Sequence, residues 1–335
     1  MFKEILERVI QKENLSQEEA ALLMEEIMTG KLTSVQVAAL LVAFRMKGET
    51  VDELTGFATV MRQKVRPMDS HHSWVVDTCG TGGDGGKTFN ISTTAAFVAA
   101  GVGVPIAKHG NAAISSQCGS ADLLKGLGVR IDADFSRMKE ALEKIGICFL
   151  FAPLFHPSMI QVSLPRKEIG VRSVFNLLGP LTNPVGAKAQ VLGVFKKEWV
   201  RPLAQVLMKL GSLEAFVVHG EDGLDEVTTT GPTWISHLKD GQMDSYFFNP
   251  ESLGFQRSNS ADLRGGDLDK NIGITRNILD GKKGPQRDIV ILNAAFAVLA
   301  GRRALSLEEA LQKSQEAIDS GKAMEKLNQL IELTH

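Results

Sequence analysis

The chain has 335 residues, a formal net charge of −2 and 44% hydrophobic residues. This composition is typical of a globular protein and excludes a disordered or fibrous chain, and the near-zero charge provides no basic field to attract nucleic acid. The length exceeds what a single hydrophobic core usually fills, so one large domain and one smaller domain are expected.

The first seventy residues are predicted to be helical. Three helices are expected to begin at Ser16, Ser34 and Thr50, and the first and third are followed three positions later by Glu19 and Glu53, the pattern of a capping box. The second helix is apolar around most of its circumference, so it is expected to be buried on more than one side. Because so short a bundle has little core of its own to cover this helix, a dimer interface is favoured over burial within the bundle.

After Pro67 the pattern changes to strands that alternate with helices. Buried strands are predicted at residues 74–76, 104–107, 147–150, 191–194 and 215–218, and helices at 92–100 and 121–127. This alternation predicts βαβ units, and therefore an α/β fold with a mostly parallel sheet flanked by helices. The polar stretch 249–266 receives no predicted structure, and the end of the chain is expected to be helical.

A glycine-rich segment, GTGGDGGKT at residues 80–88, lies between the first predicted strand and the following helix. Such a turn lets backbone N–H groups approach a phosphate, and the helix N-terminus adds positive potential, so phosphate binding is favoured over a merely flexible turn. A dinucleotide site lacks the acid expected after the next strand, and the spacing from Gly80 to Gly86 is one residue too long for a Walker A loop. Because an acid repels phosphate, Asp84 is expected to bind a ribose hydroxyl or to cap N–H groups.

Two further polar clusters follow predicted strands. The first comprises Lys108, His109, Gly110, Asn111, Ser115 and Ser116. Here a lysine is placed to pair with phosphate, and a histidine and an asparagine to orient an acceptor, at the strand ends where parallel α/β folds bind ligands. The second cluster is the acidic turn 220–226, which ends in Asp225 and Glu226. Its position opposite a phosphate loop favours a Mg²⁺ site over a solvated acidic turn.

Five blocks of sequence together resemble the anthranilate phosphoribosyltransferases, enzymes of tryptophan biosynthesis. The blocks are DTCGTGGDGGKTFNIST at 77–93, KHGN with SS and GSAD within 108–122, RKEIGVRSVFNLLGPLTNP at 166–184, HGEDGLDE at 219–226 and GPQRDIVILNAA at 284–295. The resemblance covers essentially the whole chain. It implies Mg²⁺-dependent transfer of the phosphoribosyl group of phosphoribosyl pyrophosphate (PRPP) to the amine of anthranilate, giving N-(5-phosphoribosyl)anthranilate and pyrophosphate.

The same resemblance implies a division into domains and a homodimer. Residues 1–69 would form a small helical domain to which residues 166–185 return. Residues 70–165 and 186–335 would form the large α/β domain, in the nucleoside phosphorylase/phosphoribosyltransferase-like class. The family is typically a homodimer joined through the helical domain, in agreement with the apolar second helix. The expected partners are the small molecules PRPP and anthranilate, with no nucleic acid and no membrane.

Positions that match the family's motifs imply three sets of ligand contacts. The implied PRPP-binding residues are Gly80, Gly83, Asp84, Thr88, Asn90, Ile91, Ser92, Thr93, Lys108, Ser116 and Ser120. The implied anthranilate-binding residues are Gly80, His109, Asn111 and Arg166. The implied metal ligands are Ser92, Asp225 and Glu226. The guanidinium of Arg166 has the planar fork that suits a carboxylate such as that of anthranilate.

One departure from the family pattern concerns the acceptor side. The family usually reads KHGNR, whereas Ala112 stands where that arginine is expected, and Cys118 is also an uncommon choice. Loss of a cation there is expected to affect acceptor affinity before phosphoribosyl transfer, and Lys87 is a candidate to compensate. The alternatives are a related phosphoribosyltransferase with another aromatic acceptor, a nucleic-acid-binding non-catalytic homologue and an inactive regulatory homologue.

Cysteine usage and apolar runs predict the compartment. The three cysteines, Cys79, Cys118 and Cys148, are an odd number and widely spaced, which is no disulfide framework and is typical of a reducing compartment. The apolar runs 38–44 and 294–300 are too short to span a bilayer, and charges interrupt the apolar residues of the N-terminus. A cytoplasmic location is therefore predicted.

Overall fold

The computed structural model describes residues 1–82, 88–113 and 117–335. Its N-terminal part is a bundle of four helices: α1 (Phe2–Ile10), α2 (Gln17–Met28), α3 (Ser34–Lys47) and α4 (Val51–Lys64). The capping boxes predicted at Ser16 and Thr50 are confirmed, since each hydroxyl accepts the N–H of the glutamate three residues on. Helix α3, which was the second of the three predicted helices, has a capping box too, but its N-cap is Thr33, one residue before the predicted start at Ser34.

The rest of the chain alternates strands and helices. The strands are β1 (Val76–Gly80), β2 (Ile106–Gly110), β3 (Ile147–Phe151), β4 (Ala189–Gly193), β5 (Glu214–Gly220), β6 (Thr233–Lys239) and β7 (Gln242–Phe248). The helices before β4 are α5 (Ile91–Gly101), α6 (Ser120–Leu127), α7 (Phe135–Ile145), α8 (Ala152–Phe155), α9 (Ile160–Ile169) and α10 (Phe175–Leu178). Those after β4 are α11 (Val200–Lys209), α12 (Leu268–Leu279), α13 (Pro285–Ala300), α14 (Leu307–Asp319) and α15 (Lys322–Thr334).

The seven strands form one sheet in the order β3-β2-β1-β4-β5-β6-β7. The first five in this order are parallel, and β6 and β7 add an antiparallel edge. The α/β class with a mostly parallel sheet is therefore confirmed. The chain runs outward from β1 on one side and from β4 on the other, so the neighbours β1 and β4 form a topological switch point. Open α/β sheets bind their ligands at the carboxyl ends of the strands at such a point.

Two hydrophobic cores cover the two faces of the sheet. One contains α5, α13 and α15, whereas the other joins the bundle α1–α4 and helices α9–α11 to the opposite face. Helix α9 packs against α2 and α3. Arg62 of α4 joins the bundle to two segments that flank the sheet: its Nε donates to the carbonyl of Leu181, before β4, at 2.7 Å and its Nη1 to that of Leu210, at the end of α11, at 2.9 Å.

Some predicted boundaries were wrong. The first strand was predicted at 74–76 but begins at Val76 and continues to Gly80, because residues 77–80 hydrogen-bond to β4 although they are not apolar. The strands β6 and β7 were not predicted, and most side chains of β7 are exposed, so no buried pattern marks it. The stretch 249–266 contains the short 3₁₀ helix Pro250–Leu253 and an antiparallel bridge from Arg264 to Thr88. Within the part of the chain that the structure describes, no helix has the length and apolar character needed to cross a membrane.

Candidate active site

Two glycines end the central strands at the switch point, and an acid lies directly above them. Gly80 of β1 and Gly193 of β4 are register partners. A Cβ added at Gly80 would lie 2.5 Å from Oδ2 of Asp225, and one added at Gly193 would lie 1.6 Å from the carbonyl oxygen of Asp225. Side chains at these positions would therefore displace the acidic loop, and the missing Cβ atoms bring Asp225 down onto the strand ends.

The acids Asp225 and Glu226 accept backbone N–H groups of the glycine-rich segment and of α5. Oδ2 of Asp225 accepts the N–H of Gly82 at 3.0 Å, which places this acid at the start of the glycine-rich segment. Oε1 of Glu226 accepts the N–H of Ser92 at 3.1 Å, at the first turn of α5. Carboxylates are favoured at a helix N-terminus because the N–H groups there carry partial positive charge. The structure thus brings together three residues predicted as metal ligands, Ser92, Asp225 and Glu226.

Lys108 lies beneath this group on β2. Its Nζ donates to the carbonyl of Thr78 and to Oγ of Ser92, the latter at 3.4 Å. Burial lowers the pKa of Lys108, whereas the nearby Asp77 and Glu226 carboxylates oppose this effect. The lysine is therefore held below the strand ends, with its Nζ bonded to the residue whose N–H Glu226 accepts, Ser92.

Asp77 is buried in β1 and supports the end of β2. Its Oδ1 accepts the N–H of His109 at 3.1 Å, whereas among the described residues Oδ2 lacks a hydrogen bond of good geometry. Burial raises the pKa of Asp77 to about 6, an effect that the neighbouring Asn183 amide and Lys108 only partly offset. Asn183 itself donates to the carbonyl of Ala107 at 2.8 Å. These contacts hold the main chain of β2 at Ala107 and His109.

His109 contacts a second buried histidine that the sequence did not point to. Its Nε2 lies 3.1 Å from Nε2 of His156, and both side chains are only 7% exposed. Burial lowers the pKa of His109 to about 3, with a contribution from His156, and burial also lowers the pKa of His156 to about 4. Both rings are therefore neutral at pH 7, and the hydrogen bond between the two Nε2 atoms requires that one ring carries its proton on Nε2. His156 precedes α9, so the pair joins the end of β2 to the segment that carries Arg166.

Hydrogen bonds join residues 111–113, directly after β2, to the first turn of α6. Oδ1 of Asn111 accepts the N–H of Ala112 at 2.8 Å, and the carbonyl of Asn111 accepts Oγ–H of Ser120 at 3.3 Å. Asp122 accepts the N–H groups of Ala113 and Gly119 at 2.8 and 2.9 Å. Ala112, which replaces the expected arginine, is half-buried and packs against the core that contains α5, α13 and α15.

The remaining PRPP-binding predictions fall around the start of α5. Nδ2 of Asn90 donates to the carbonyl of Cys118 at 3.1 Å, which joins this turn to the loop after β2. The side chains of Ile91 and Thr93 are buried and face the core, so these two residues present mainly backbone groups to the cleft. Thr88 forms the bridge to residue 264. The predictions for Gly83, Asp84 and Ser116, and the suggested compensation by Lys87, lie outside the described residues, as does Ser115.

Arg166 lies in α9, apart from the other predicted acceptor residues. Its guanidinium carbon is 5.4 Å from the ring centroid of Phe175, and burial lowers its pKa. Within the described residues, no hydrogen bond joins Arg166 to His109 or Asn111. The structure therefore places Arg166 on the helical side of the cleft and the other two residues at the end of β2.

Several residues that shape the site were missed from the sequence. Besides His156 and Gly193, Asn293 of α13 holds the loop that follows Glu226: it accepts the N–H of Val227 at 2.9 Å and donates to the carbonyl of Val227 at 2.8 Å. Asn293 lies within the block 284–295, where a polar residue in an otherwise apolar helix was an available signal. No signal marked His156, because its partner is 47 positions away in the chain.

Comparison with known proteins was made for the whole chain. Residues 72–324 match the a/b domain of a glycosyl transferase family, and residues 3–65 match the helical bundle domain of a glycosyl transferase family. The anthranilate phosphoribosyltransferase of Moorella thermoacetica is 51% identical over 331 residues, which cover 99% of this chain and 98% of that protein. Among solved structures, the anthranilate phosphoribosyltransferase of Thermus thermophilus is 43% identical, with a TM-score of 0.92 and 98% of each chain covered. The enzyme of Saccharomyces cerevisiae in complex with PRPP and Mg is 28% identical, with a TM-score of 0.91, and the match covers 99% of this chain and 97% of that one.

Proposed function

The chain belongs to the anthranilate phosphoribosyltransferase family, and on this premise we propose that it transfers the phosphoribosyl group of PRPP to the amine of anthranilate in tryptophan biosynthesis. The observation that carries this proposal is the contact of Asp225 with Gly82 above the glycine ends of β1 and β4. It brings an acid and a glycine-rich turn together at the switch point of the sheet, where such folds bind ligands. The two structural relatives of the same family have the same fold over the full chain.

The residues of the cleft suit a donor that carries phosphate groups. Lys108 is buried beneath the strand ends, where its ammonium form would pair with a phosphate oxygen. The reaction breaks the bond from C1 of the ribose to pyrophosphate and forms a bond from C1 to the amine nitrogen, which then loses a proton. Negative charge grows on the leaving pyrophosphate, so preorganised donors there lower the barrier. An aromatic amine is neutral near pH 7, so its attack needs no strong base.

The metal predictions fit the groups that the structure brings together. Ser92, Asp225 and Glu226 offer only oxygen atoms, which are the ligands that Mg²⁺ prefers. Among the described residues no cluster of three or more histidine, cysteine or acidic side chains is suited to hold a metal. A site with two carboxylates and one hydroxyl leaves coordination positions for water and donor phosphates, as is usual for Mg²⁺. When bound, Mg²⁺ supplies positive charge that balances the leaving pyrophosphate.

The acceptor is proposed to lie between the end of β2 and α9. His109 and Asn111 are placed on the sheet side, and Arg166 on the helical side, where its guanidinium is available to a carboxylate. Holding the amine against C1 of the ribose contributes by proximity. The neutral His109–His156 pair keeps the ring of His109 in one orientation, so it acts as a positioning pair.

The first test follows the fluorescence of anthranilate in a mixture of the purified protein, PRPP and MgCl₂, repeated with EDTA. A metal-dependent loss of fluorescence is the expected result. The double variant Asp225→Asn with Glu226→Gln is expected to need more Mg²⁺ for half-maximal rate or to lose turnover. The control is Glu221→Gln, an exposed acid of the same turn. An unchanged Mg²⁺ dependence of the double variant contradicts the metal assignment, and no fluorescence loss with the wild-type protein contradicts the proposed acceptor.

A second test addresses the acceptor role of Arg166. Arg166→Ala is expected to raise the KM for anthranilate by about tenfold or more, the effect of losing a charge-assisted pair, and to change the KM for PRPP much less. The exposed neighbour Lys167 provides the control variant Lys167→Ala. Equal effects of Arg166→Ala on the two KM values contradict the acceptor role.

We further propose that residues 1–69 and 166–185 form one helical domain, that residues 70–165 and 186–335 form the α/β domain, and that the helical domain joins two copies of the chain. The packing of α9 on α2 and α3 supports this division. On α3, the side chains of Val35 and Met46 are 78% and 77% exposed, and Val42, also exposed, lies between them on the same face. Light scattering after size exclusion tests the dimer, and Val35→Glu with Met46→Glu is expected to yield monomers.

The proposed location is the cytoplasm. Cys79, Cys118 and Cys148 are all buried and free, and a reducing compartment keeps such thiols unpaired. Burial raises the pKa of each of these thiols, most strongly at Cys79 and Cys148, so the reactive thiolate forms are disfavoured. Fractionation of cells that express the chain tests this location, and recovery outside the cytoplasmic fraction contradicts it.

A further inference from the structure

We propose that Arg172 binds the pyrophosphate group of the donor from the helical side of the cleft, a role that rests on the proposed function. Arg172 lies in the connection between α9 and α10, six residues after Arg166. It is absent from the residues that the sequence motifs single out. Arg166 in α9 and Arg172 in the connection after it would then provide one cation for the acceptor and one for the leaving group.

The position of Arg172 beside the glycine-rich segment follows from three contacts. Its guanidinium carbon is 4.8 Å from the ring centroid of Phe195. The N–H of Phe195 donates to Oγ1 of Thr81 at 3.0 Å, and the N–H of Thr81 donates to the carbonyl of Gly193 at 2.9 Å. Phe195 therefore contacts the start of the glycine-rich segment through its N–H, and the guanidinium of Arg172 stacks on its ring.

The main chain of Arg172 is held from the bundle. Nη1 of Arg45 in α3 donates to the carbonyl of Arg172 at 2.8 Å. Gly170, with a φ of +62°, ends α9 and turns the chain toward this contact. The main chain of Arg172 is thereby held by α3, while its guanidinium lies on Phe195, two residues after the end of β4.

A buried hydroxyl next to Arg172 points to the same ligand. Ser173 is 7% exposed, and among the described residues its Oγ has no hydrogen-bond partner. A buried hydroxyl without a partner is costly, so a bound group that accepts from it stabilises the site. Phosphate oxygens accept from both a guanidinium and a hydroxyl, and a guanidinium binds them in a fork.

Charge balance also favours a second cation at this position. A donor with a phosphate and a pyrophosphate group carries several negative charges, and the carboxylates of Asp225 and Glu226 lie at the same cleft. Lys108 is buried below the strand ends, where it is bonded to Thr78 and Ser92. Arg172, beside the start of the glycine-rich segment, would add a second positive charge for the leaving pyrophosphate.

The test measures the binding of inorganic pyrophosphate with MgCl₂ by calorimetry, together with both KM values. Arg172→Ala is expected to raise the Kd for pyrophosphate and the KM for PRPP by about 10- to 100-fold, with little change in the KM for anthranilate. Arg172→Lys is expected to recover part of this loss, because the charge remains and the fork does not. Lys196→Ala, an exposed cation next to Phe195, is the control for a general effect of charge.

Ser173→Ala removes a hydroxyl that bonds no described protein group, so it tests the same site without disturbing the fold. It is expected to weaken pyrophosphate binding several-fold. Wild-type affinity for pyrophosphate in Arg172→Ala and Ser173→Ala, or an equal loss in Lys196→Ala, overturns the inference. If the wild type transfers to anthranilate but pyrophosphate binding does not depend on Arg172, only this inference is contradicted. If pyrophosphate binding depends on Arg172 but no transfer to anthranilate occurs, only the proposed acceptor is contradicted.

Discussion

Replacing Gly193 by alanine tests how tightly the acidic loop is seated on the strand ends. The added Cβ would lie 1.6 Å from the carbonyl oxygen of Asp225, whereas real Cβ contacts essentially never fall under 3.0 Å, so the loop must move by at least 1.4 Å. The obstacle is backbone, so no rotamer change relieves it. A displacement of this size at a reacting centre costs about 100-fold in rate, and overpacking costs about 1–3 kcal/mol of unfolding free energy.

The assay is kcat/KM for PRPP as a function of MgCl₂ concentration, with Tm measured in parallel. Gly80→Ala meets the same acid only at Oδ2, 2.5 Å from the added Cβ, and a side chain yields more easily, so a smaller loss is expected. The control is Gly273→Ala in α12, where the added Cβ has no neighbour within 4 Å and the helix gains about 0.5–1 kcal/mol. A folded Gly193→Ala protein with wild-type kcat/KM and Mg²⁺ dependence refutes this reasoning.

The pKa values of His109 and His156 lie below their unfolded value of 6.5, so the stability they contribute is present above pH 6.5 and lost as the pH falls toward 4. At pH 5 the free energy of unfolding is expected to be lower by about 2 kcal/mol for each histidine. Urea unfolding at pH 7 and 5 measures this difference, and the free energy of unfolding of His156→Asn is expected to change less with pH than that of the wild type. Asn293→Ala leaves both backbone groups of Val227 unpaired, so a loss of about 2–4 kcal/mol and a raised KM for PRPP are expected from the same unfolding and rate measurements. Arg62→Met removes two hydrogen bonds from the bundle to the carbonyls of Leu181 and Leu210, and urea unfolding is expected to show a free energy of unfolding lower by about 1–3 kcal/mol, with the Kd for pyrophosphate unchanged. An equal free energy of unfolding of the Arg62 variant and the wild type would show that these two hydrogen bonds do not stabilise the fold.

Local patterns predicted the elements that depend on local physics. The capping boxes at Ser16 and Thr50 are formed within four residues of chain, and the buried strand at 147–150 is apolar throughout, so each was predicted close to its observed bounds. The edge strand β7 was not predicted because its side chains are mostly exposed, so no alternation of buried and exposed residues marks it.

For the site, the sequence by itself determined which groups are present: a glycine-rich turn, Lys108 and His109 after one strand, and Asp225 and Glu226 after another. Only the tertiary structure decided which of them meet. The contact between His109 and His156, the hold of Asn293 on Val227 and the seat of Asp225 on Gly193 each join residues far apart in the chain. Such contacts depend on strand order, which has no local signal, because side chains from different strands come together only when the sheet is assembled.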